Sequence, residues 1–183
     1  LLTDTDYQTY FDGAQFVHFL LGPATVALAI PLYSSIGRLR AMLLPLVLAL
    51  LGGSATGILA AVGVGWLLGL EPTILRSLAP KSITTPIAMG ISEQIGGIPS
   101  LTAVLVILTG IIGALFANEL LLRLRFRDES VRGFAIGLAA HGIGTARALQ
   151  ISTEAGAFAG LAMGLNGAVT AILVPLLLRL LGL

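Results

Sequence analysis

Two short stretches of this sequence combine residue types suited to recognising a small anion in apolar surroundings. The first is Pro80-Lys-Ser-Ile-Thr-Thr-Pro-Ile-Ala-Met89. Thr84 or Thr85 suits a helix N-cap and Pro86 the first helical position, so a helix is expected to begin there. Its unpaired backbone N–H groups and positive dipole end, with the hydroxyls of Ser82, Thr84 and Thr85, would receive a carboxylate. The plainer alternative is a helix start that satisfies only itself. Lys81 reads more readily as a lysine snorkelling to an interface than as a ligand.

The second stretch is His141-Gly-Ile-Gly-Thr-Ala-Arg147. Gly142 and Gly144 open the backbone, Thr145 would cap a following half helix, and Arg147 lies two residues inside it. Arginine at membrane depth costs at least ~2.5 kcal/mol on insertion scales, so it normally faces protein, water or an anion. Its planar guanidinium would hold a carboxylate through two parallel bonds. The competing reading has Arg147 reach a lipid headgroup or pair with Glu154. His141 would exchange a proton near neutral pH and couple a monocarboxylate to H⁺, or serve as a hydrogen-bonded structural histidine.

Glu93 and Gln94 would bind substrate or a cation, or lie among headgroups, the latter being the readier assignment. Asn166, in a long apolar stretch, is expected to hydrogen-bond across to another helix. His18 reads as structural. No metal-ligand spacing, nucleophile with a base, or phosphate-binding glycine loop is present, and neither catalysis nor a cofactor is expected.

Positioning these residues requires membrane-spanning helices. Of 183 residues, 56% are hydrophobic and only 10% charged, where a soluble domain carries roughly a quarter charged. Runs at 41–70, 101–122 and 155–178 reach the ~20 residues needed to cross a bilayer. The 41–70 run is long enough to demand tilt or a bend, near Pro45 or Gly52-Gly53. The 23 glycines, at helical spacing in Ala49, Gly53, Gly57, Ala61, Gly65 and Gly69, and again in Gly156, Gly160, Gly164 and Ala168, make smooth ridges for close helix packing, expected within the subunit. A formal net charge of +1 excludes nucleic acid as a partner, and the absence of cysteine excludes disulfides and thiolate metal sites. The opening Leu1, with no signal peptide after it, leads us to expect that the beginning of the protein is missing.

The segments 13–32 and 133–151 both look interrupted, at Gly22-Pro23 and at His141 to Gly144. Laid on each other, they align Gly22-Pro-Ala-Thr25 with Gly142-Ile-Gly-Thr145, which would bring Pro23 and Thr25 to the same site. The following helices match at Gly53, Thr56, Ile58 and Leu59 against Gly167, Thr170, Ile172 and Leu173. Arg38 and Arg40 follow the first broken segment, whereas Arg123, Arg125, Arg127 and Arg132 precede the second, in a charged loop at 123–132. Because basic loops collect on the cytoplasmic side, this asymmetry predicts an inverted repeat of halves 13–70 and 99–183, whose broken segments cross in opposite directions. With Arg38 and Arg125 then on one side, 71–97 must enter and leave by one face, as a re-entrant or interfacial element. The fold expected is an all-α integral membrane bundle, one transmembrane domain over 1–183.

Leu78-Ala-Pro-Lys-Ser-Ile-Thr-Thr-Pro-Ile-Ala-Met89 with Ile95-Gly-Gly-Ile-Pro99 resembles the LrgB/CidB family of bacterial membrane proteins. So do Pro23 with Ala27-Leu-Ala-Ile-Pro-Leu-Tyr33, Arg132-Gly133, the His141 to Arg147 motif and Glu154-Ala-Gly-Ala-Phe158, so that the likeness covers essentially the whole chain. Compared with that family, two N-terminal apolar segments are expected to be missing from the beginning of this chain. The resemblance implies an inner-membrane protein, often labelled antiholin-like and linked to murein hydrolase control, with a small LrgA/CidA-type partner. It implies equally a likeness to plastid carriers of glycolate and glycerate and to bacterial pyruvate uptake. Together with the residues, it leads us to expect a carrier of small hydroxy- or keto-monocarboxylates, alone or as a homo-oligomer. A lysis regulator that moves no solute is the rival.

Overall fold

A computed structural model describes residues 29–183 and four isolated positions before them. The predicted break at Gly22-Pro23, together with Pro23, Thr25 and His18, lies outside the described residues. The described chain is helical throughout: α1 Ala29–Ser34, α2 Ile36–Ala41, α3 Leu43–Leu67, α4 Pro72–Leu78, α5 Thr85–Gln94, α6 Pro99–Arg123, α7 Glu129–Ile151 and α8 Thr153–Leu180. Among the described residues, α3, α6 and α8 are long and apolar enough to cross a membrane. At 1.5 Å per residue they measure about 38 to 42 Å. Large apolar side chains such as Leu48, Trp66, Ile112, Phe116 and Ile172 stand exposed on their outer faces, an arrangement stable where lipid is the solvent.

Proline and glycine set the boundaries. Pro45 falls in the first turn of α3, where its missing N–H leaves no hydrogen bond unmade, and neither it nor Gly52-Gly53 interrupts the helix. Gly69, at φ 72°, closes α3, with the Leu70 N–H donating to the Gly65 carbonyl at 3.0 Å. Pro72, Pro86 and Pro99 each stand at the opening of a helix. The helix expected at Thr84-Thr85 is α5; Thr84 occupies the N-cap position in extended conformation, without a side-chain capping bond.

Helix directions follow from ordered contacts. Leu46 and Leu50 cluster with Phe158 and Ala162, Ser54 bonds Asn166, and Ile58 and Val62 cluster with Val174 and Leu178. Helices α3 and α8 therefore run side by side in the same direction. The alignment of Gly53, Thr56, Ile58 and Leu59 with Gly167, Thr170, Ile172 and Leu173 thus joins parallel helices, not helices related by inversion.

The second interrupted segment also departs from expectation. The break is where the glycines predicted it, at His141, whose φ of 42° and ψ of −132° are not helical. Instead of continuing onward, the chain reverses. Gly133 and Gly137, on the first limb, lie against the Ala155 and Ala159 backbones of α8, in parallel order. After His141 the order inverts: Thr145 meets Met163, and Leu149 meets Gly156. A Cβ on Gly144 would lie 2.6 Å from Ala140 Cβ and 2.9 Å from the Ile136 carbonyl oxygen, so the return limb packs directly on the outgoing one. Helix α7 is therefore a hairpin, since a non-helical His141 turns the chain over and glycines let its limbs touch.

Segment 71–97 is a second reversal. Gly65 packs on Leu75 and Leu78, and Gly57 faces Ser82, so α4 runs back along α3 to its middle. From there α5 leads out again. The Ile98 N–H donates to Ser77 Oγ (2.8 Å), and the Thr102 hydroxyl reaches Ser92 Oγ (2.7 Å) and the Ser77 carbonyl (3.0 Å), tying both limbs to the start of α6. Gly53, Gly57 and Gly65 thus place the α3 ridge against this subunit's own hairpins, as expected, whereas a Cβ on Gly164 would meet nothing within 4 Å.

At one end of the bundle Arg38 pairs with Asp128, the N-cap of α7, and its Nη1 lies 2.8 Å from Glu154 Oε1 at the start of α8, by proximity rather than as an aligned hydrogen bond. The Ser130 hydroxyl, ahead of the Val131 N–H and of Arg38, holds the Asp128 carboxyl below the usual carboxylate range. The charged loop is shorter than predicted. Arg132 is not in it but buried in α7, donating to Asn118 Oδ1 at 2.8 Å.

Candidate functional site

The two reversals meet halfway along α3 and α8, and Asn166 joins them. Its amide nitrogen donates to the Leu138 carbonyl, beside the α7 reversal, at 2.8 Å, and to the Ser82 carbonyl, in the α4–α5 turn, at 3.3 Å. Its carbonyl oxygen accepts from Ser54 Oγ on α3 (2.6 Å) and from Thr170 Oγ1 (3.0 Å). An Asn side chain has two donors and two acceptor sites, and all four have a partner within reach here, the Ser54 hydroxyl being shared with the Leu50 carbonyl at 2.6 Å. The cross-helix role expected of Asn166 is therefore what the structure contains, although it bonds three other elements, besides Thr170 on its own helix, where one neighbour was expected.

Around this node lies a cavity of about 740 Å³, bounded by α3, the turn after α4, α6, the first limb of α7, and α8. Its polar lining comprises Ser54, Thr56, Lys81, Ser82, Thr109, Asn166 and Thr170, between apolar walls that include Ile58, Ile112 and Leu138. Among the described residues, Lys81 is the sole ionisable one in this lining. Its ammonium lies 3.4 Å from Ser82 Oγ, a long contact, and the ion pairs among the described residues do not involve it.

The remaining predicted residues are distributed unevenly. Ser82 lines the cavity with Lys81. Thr84 and Thr85 are half-buried at the start of α5 and do not line it. His141 is buried in the reversal, with Nε2 2.9 Å from the Val106 carbonyl oxygen, so that it anchors the hairpin tip to α6. The Thr145 hydroxyl donates to the His141 carbonyl at 2.8 Å and is buried beside it; Gly142 and Gly144 form the adjoining turn. Arg147 is exposed on the opposite side of the return limb, where it donates to Gln150 Oε1 at 3.0 Å in a shallow recess beside Ala114 and Leu115. It does not pair with Glu154, whose partner is Arg38. Glu93 and Gln94 are exposed, in keeping with the headgroup assignment.

Residues not singled out from sequence include Ser54, Thr170 and, above all, Lys81 as a cavity group. One signal was present: Lys81 is the only lysine of a chain whose basic loops otherwise use arginine. A lysine set between Pro80 and Pro86, away from those loops, does not belong to the topological charge pattern.

The profile of the LrgB-like family matches residues 1–180. The chain is similar to Uncharacterized protein YwbG of Bacillus subtilis (strain 168), 37% identical over 178 residues, which are 97% of this chain and 79% of that protein. It is 33% identical over 180 residues to Antiholin-like protein LrgB of Bacillus cereus (strain B4264), covering 96% of this chain and 76% of the relative. The same figures hold for Antiholin-like protein LrgB of Bacillus anthracis (strain CDC 684 / NRRL 3495). No solved structure matches.

Proposed function

We propose that this chain, which belongs to the LrgB-like family, is a secondary carrier of small hydroxy- or keto-monocarboxylates, of the glycolate, glycerate, lactate or pyruvate type, in a bacterial cytoplasmic membrane. The observation that carries this reading is the meeting of two chain reversals around a largely apolar cavity with a cluster of polar groups, midway along the spanning helices. In a bilayer, irregular backbone is tolerated at that depth only where protein buries it or it lines a cavity, and carriers build their sites there. In this reading 71–97 is re-entrant from one face and 129–151 from the other. The inverted relation then falls on α3 with its following hairpin and α6 with its hairpin, instead of on 13–70 and 99–183. Ser82 and Asn166 line the site, while His141, Gly142, Gly144 and Thr145 shape the second tip. No catalytic step or cofactor is invoked.

The direct test is uptake of labelled glycolate, lactate and pyruvate into liposomes holding the complete protein. Saturable, substrate-selective flux is expected, and well-inserted protein without it would end the carrier reading. A second reading, an antiholin-like regulator of murein hydrolase activity working through an LrgA/CidA-type partner or its own oligomers, is favoured by the names of the relatives. It requires no saturable site.

Two further outcomes are expected. Arg38→Cys and Arg125→Cys should label from the same, cytoplasmic side, because Arg38 is paired with Asp128 at the end of the loop that carries Arg125. Labelling from opposite sides would remove the re-entrant assignment of 71–97. Arg147→Ala should leave half-saturation within about twofold of the native value, since Arg147 lies outside the cavity and its loss removes no contact there. A loss of roughly tenfold or more in folded protein would return the carboxylate to Arg147.

A further inference from the structure

We propose that Lys81 is the anion-binding group of the central cavity and that, as the single charge there, it restricts the ligand to one negative charge. This rests on the carrier reading for its substrate class, but the site itself is argued from the cavity. Three features converge on Lys81. It lines the cavity halfway along α3 and α8, and no carboxylate stands among the described lining residues to neutralise it. Its one hydrogen bond is the long contact to Ser82 Oγ, which leaves ammonium donors for another partner. Its position is fixed through its neighbour, because the Ser82 carbonyl is held by Asn166.

The alternatives within the site are spent or turned away. Asn166 has every donor and acceptor committed to the frame, and Arg147 lies outside the cavity. The hydroxyls of Ser82, Thr56 and Thr109 border the same space and suit the hydroxyl or keto oxygen of a short acid. A volume of about 740 Å³ admits such an acid with water still around it. Charge decides selectivity. In a low-dielectric site an unpaired charge is costly, so a monoanion that cancels Lys81 is favoured, while a dianion leaves one uncompensated negative charge.

The test uses the complete protein in detergent and in liposomes, with sodium pyruvate, sodium malonate and neutral lactamide as probes. Pyruvate is expected to raise the melting temperature saturably at constant ionic strength, and malonate and lactamide to have no comparable effect. Lys81→Gln should need at least roughly tenfold more pyruvate for the same response, the loss of one charge-assisted bond, while Lys81→Arg should keep the preference for a single charge. A folded Lys81→Gln protein with native half-saturation would overturn the proposal, as would malonate acting as well as pyruvate. The comparison of probes needs no variant, so it holds even if a substitution prevents folding. Stabilisation lost in Lys81→Gln without flux in the native protein would strike the carrier reading and leave the anion site. Flux with an unchanged half-saturation in Lys81→Gln would do the reverse. Neither flux nor stabilisation with any monoanion would overturn both.

Discussion

Gly137→Ala is expected to prevent the protein from reaching its folded state, although it adds one methyl group. A Cβ there would lie 2.6 Å from the Ala159 Cα and closer still to the Ala159 carbonyl oxygen. Backbone cannot rotate aside as a side chain does, so the outgoing limb of α7 must leave α8. Ordinary overpacking costs about 1 to 3 kcal/mol. Here the whole limb is displaced, along with the contacts around Ile136 and Phe134, so the cost should exceed that range and approach the ~5 to 15 kcal/mol that stabilises a typical domain. Gly133→Ala should behave alike, its Cβ falling 2.7 Å from the Ala155 Cα. The control is Gly63→Ala, where nothing lies within 4 Å of the new methyl and helix propensity favours alanine by up to about 1 kcal/mol. Thermal melting in detergent reads all three, and a Gly137→Ala protein that melts with the native one would contradict the direct backbone contact.

Asn166→Leu should be nearly as damaging by another route. It removes two donors and an acceptor from a group that is 1% exposed, leaving the Leu138 and Ser82 carbonyls and the Thr170 hydroxyl to find new partners, while the Ser54 hydroxyl retains the Leu50 carbonyl at 2.6 Å. Hydrogen bonds between membrane helices average about 0.6 kcal/mol and reach about 1.7, so losing three is worth roughly 2 to 5 kcal/mol. Asn166→Asp tests the direction of the bonds: it keeps the size but turns the donating end into an acceptor aimed at two carbonyls. It should destabilise at least as much as leucine does. If Asn166→Asp melted like the native protein at neutral pH, the amide would not be donating to Leu138 and Ser82.

Much of this was legible in the sequence, for identifiable reasons. The three spanning helices follow from apolar runs with at most one charge each, the start of α5 from Thr84-Thr85-Pro86, and the break in α7 from the glycines after His141. The direction taken after that break was not legible. A glycine pair announces an interruption, but whether the chain continues or reverses depends on the His141 dihedrals and on what the limbs touch. The position of Arg147 follows from rotation: each residue advances about 100° around a helix, so Arg147 faces nearly opposite to Thr145, which is the buried one, and stands outside the cavity. Lys81 lies in a turn, where no periodicity tells which way a side chain points. Arg132 was assigned to the loop although Asp128 is a good N-cap four residues before it.

The hairpin of α7 has a consequence for how the protein is made. Each limb is about 15 to 18 Å long, too short to cross the hydrocarbon by itself. Its outgoing limb rests on the backbones of Ala155 and Ala159, and its mouth is held by Arg38 through Asp128 and Glu154. Those α8 residues are translated after the hairpin. The ribosome therefore delivers residues 129–151 after α6, which receives His141 and Arg132, but before the α8 backbone on which the outgoing limb packs. Order of synthesis and order of burial are reversed for that second contact, and a protein truncated after Ile151 would keep the hairpin's bonds to α6 but lose the α8 surface under its outgoing limb.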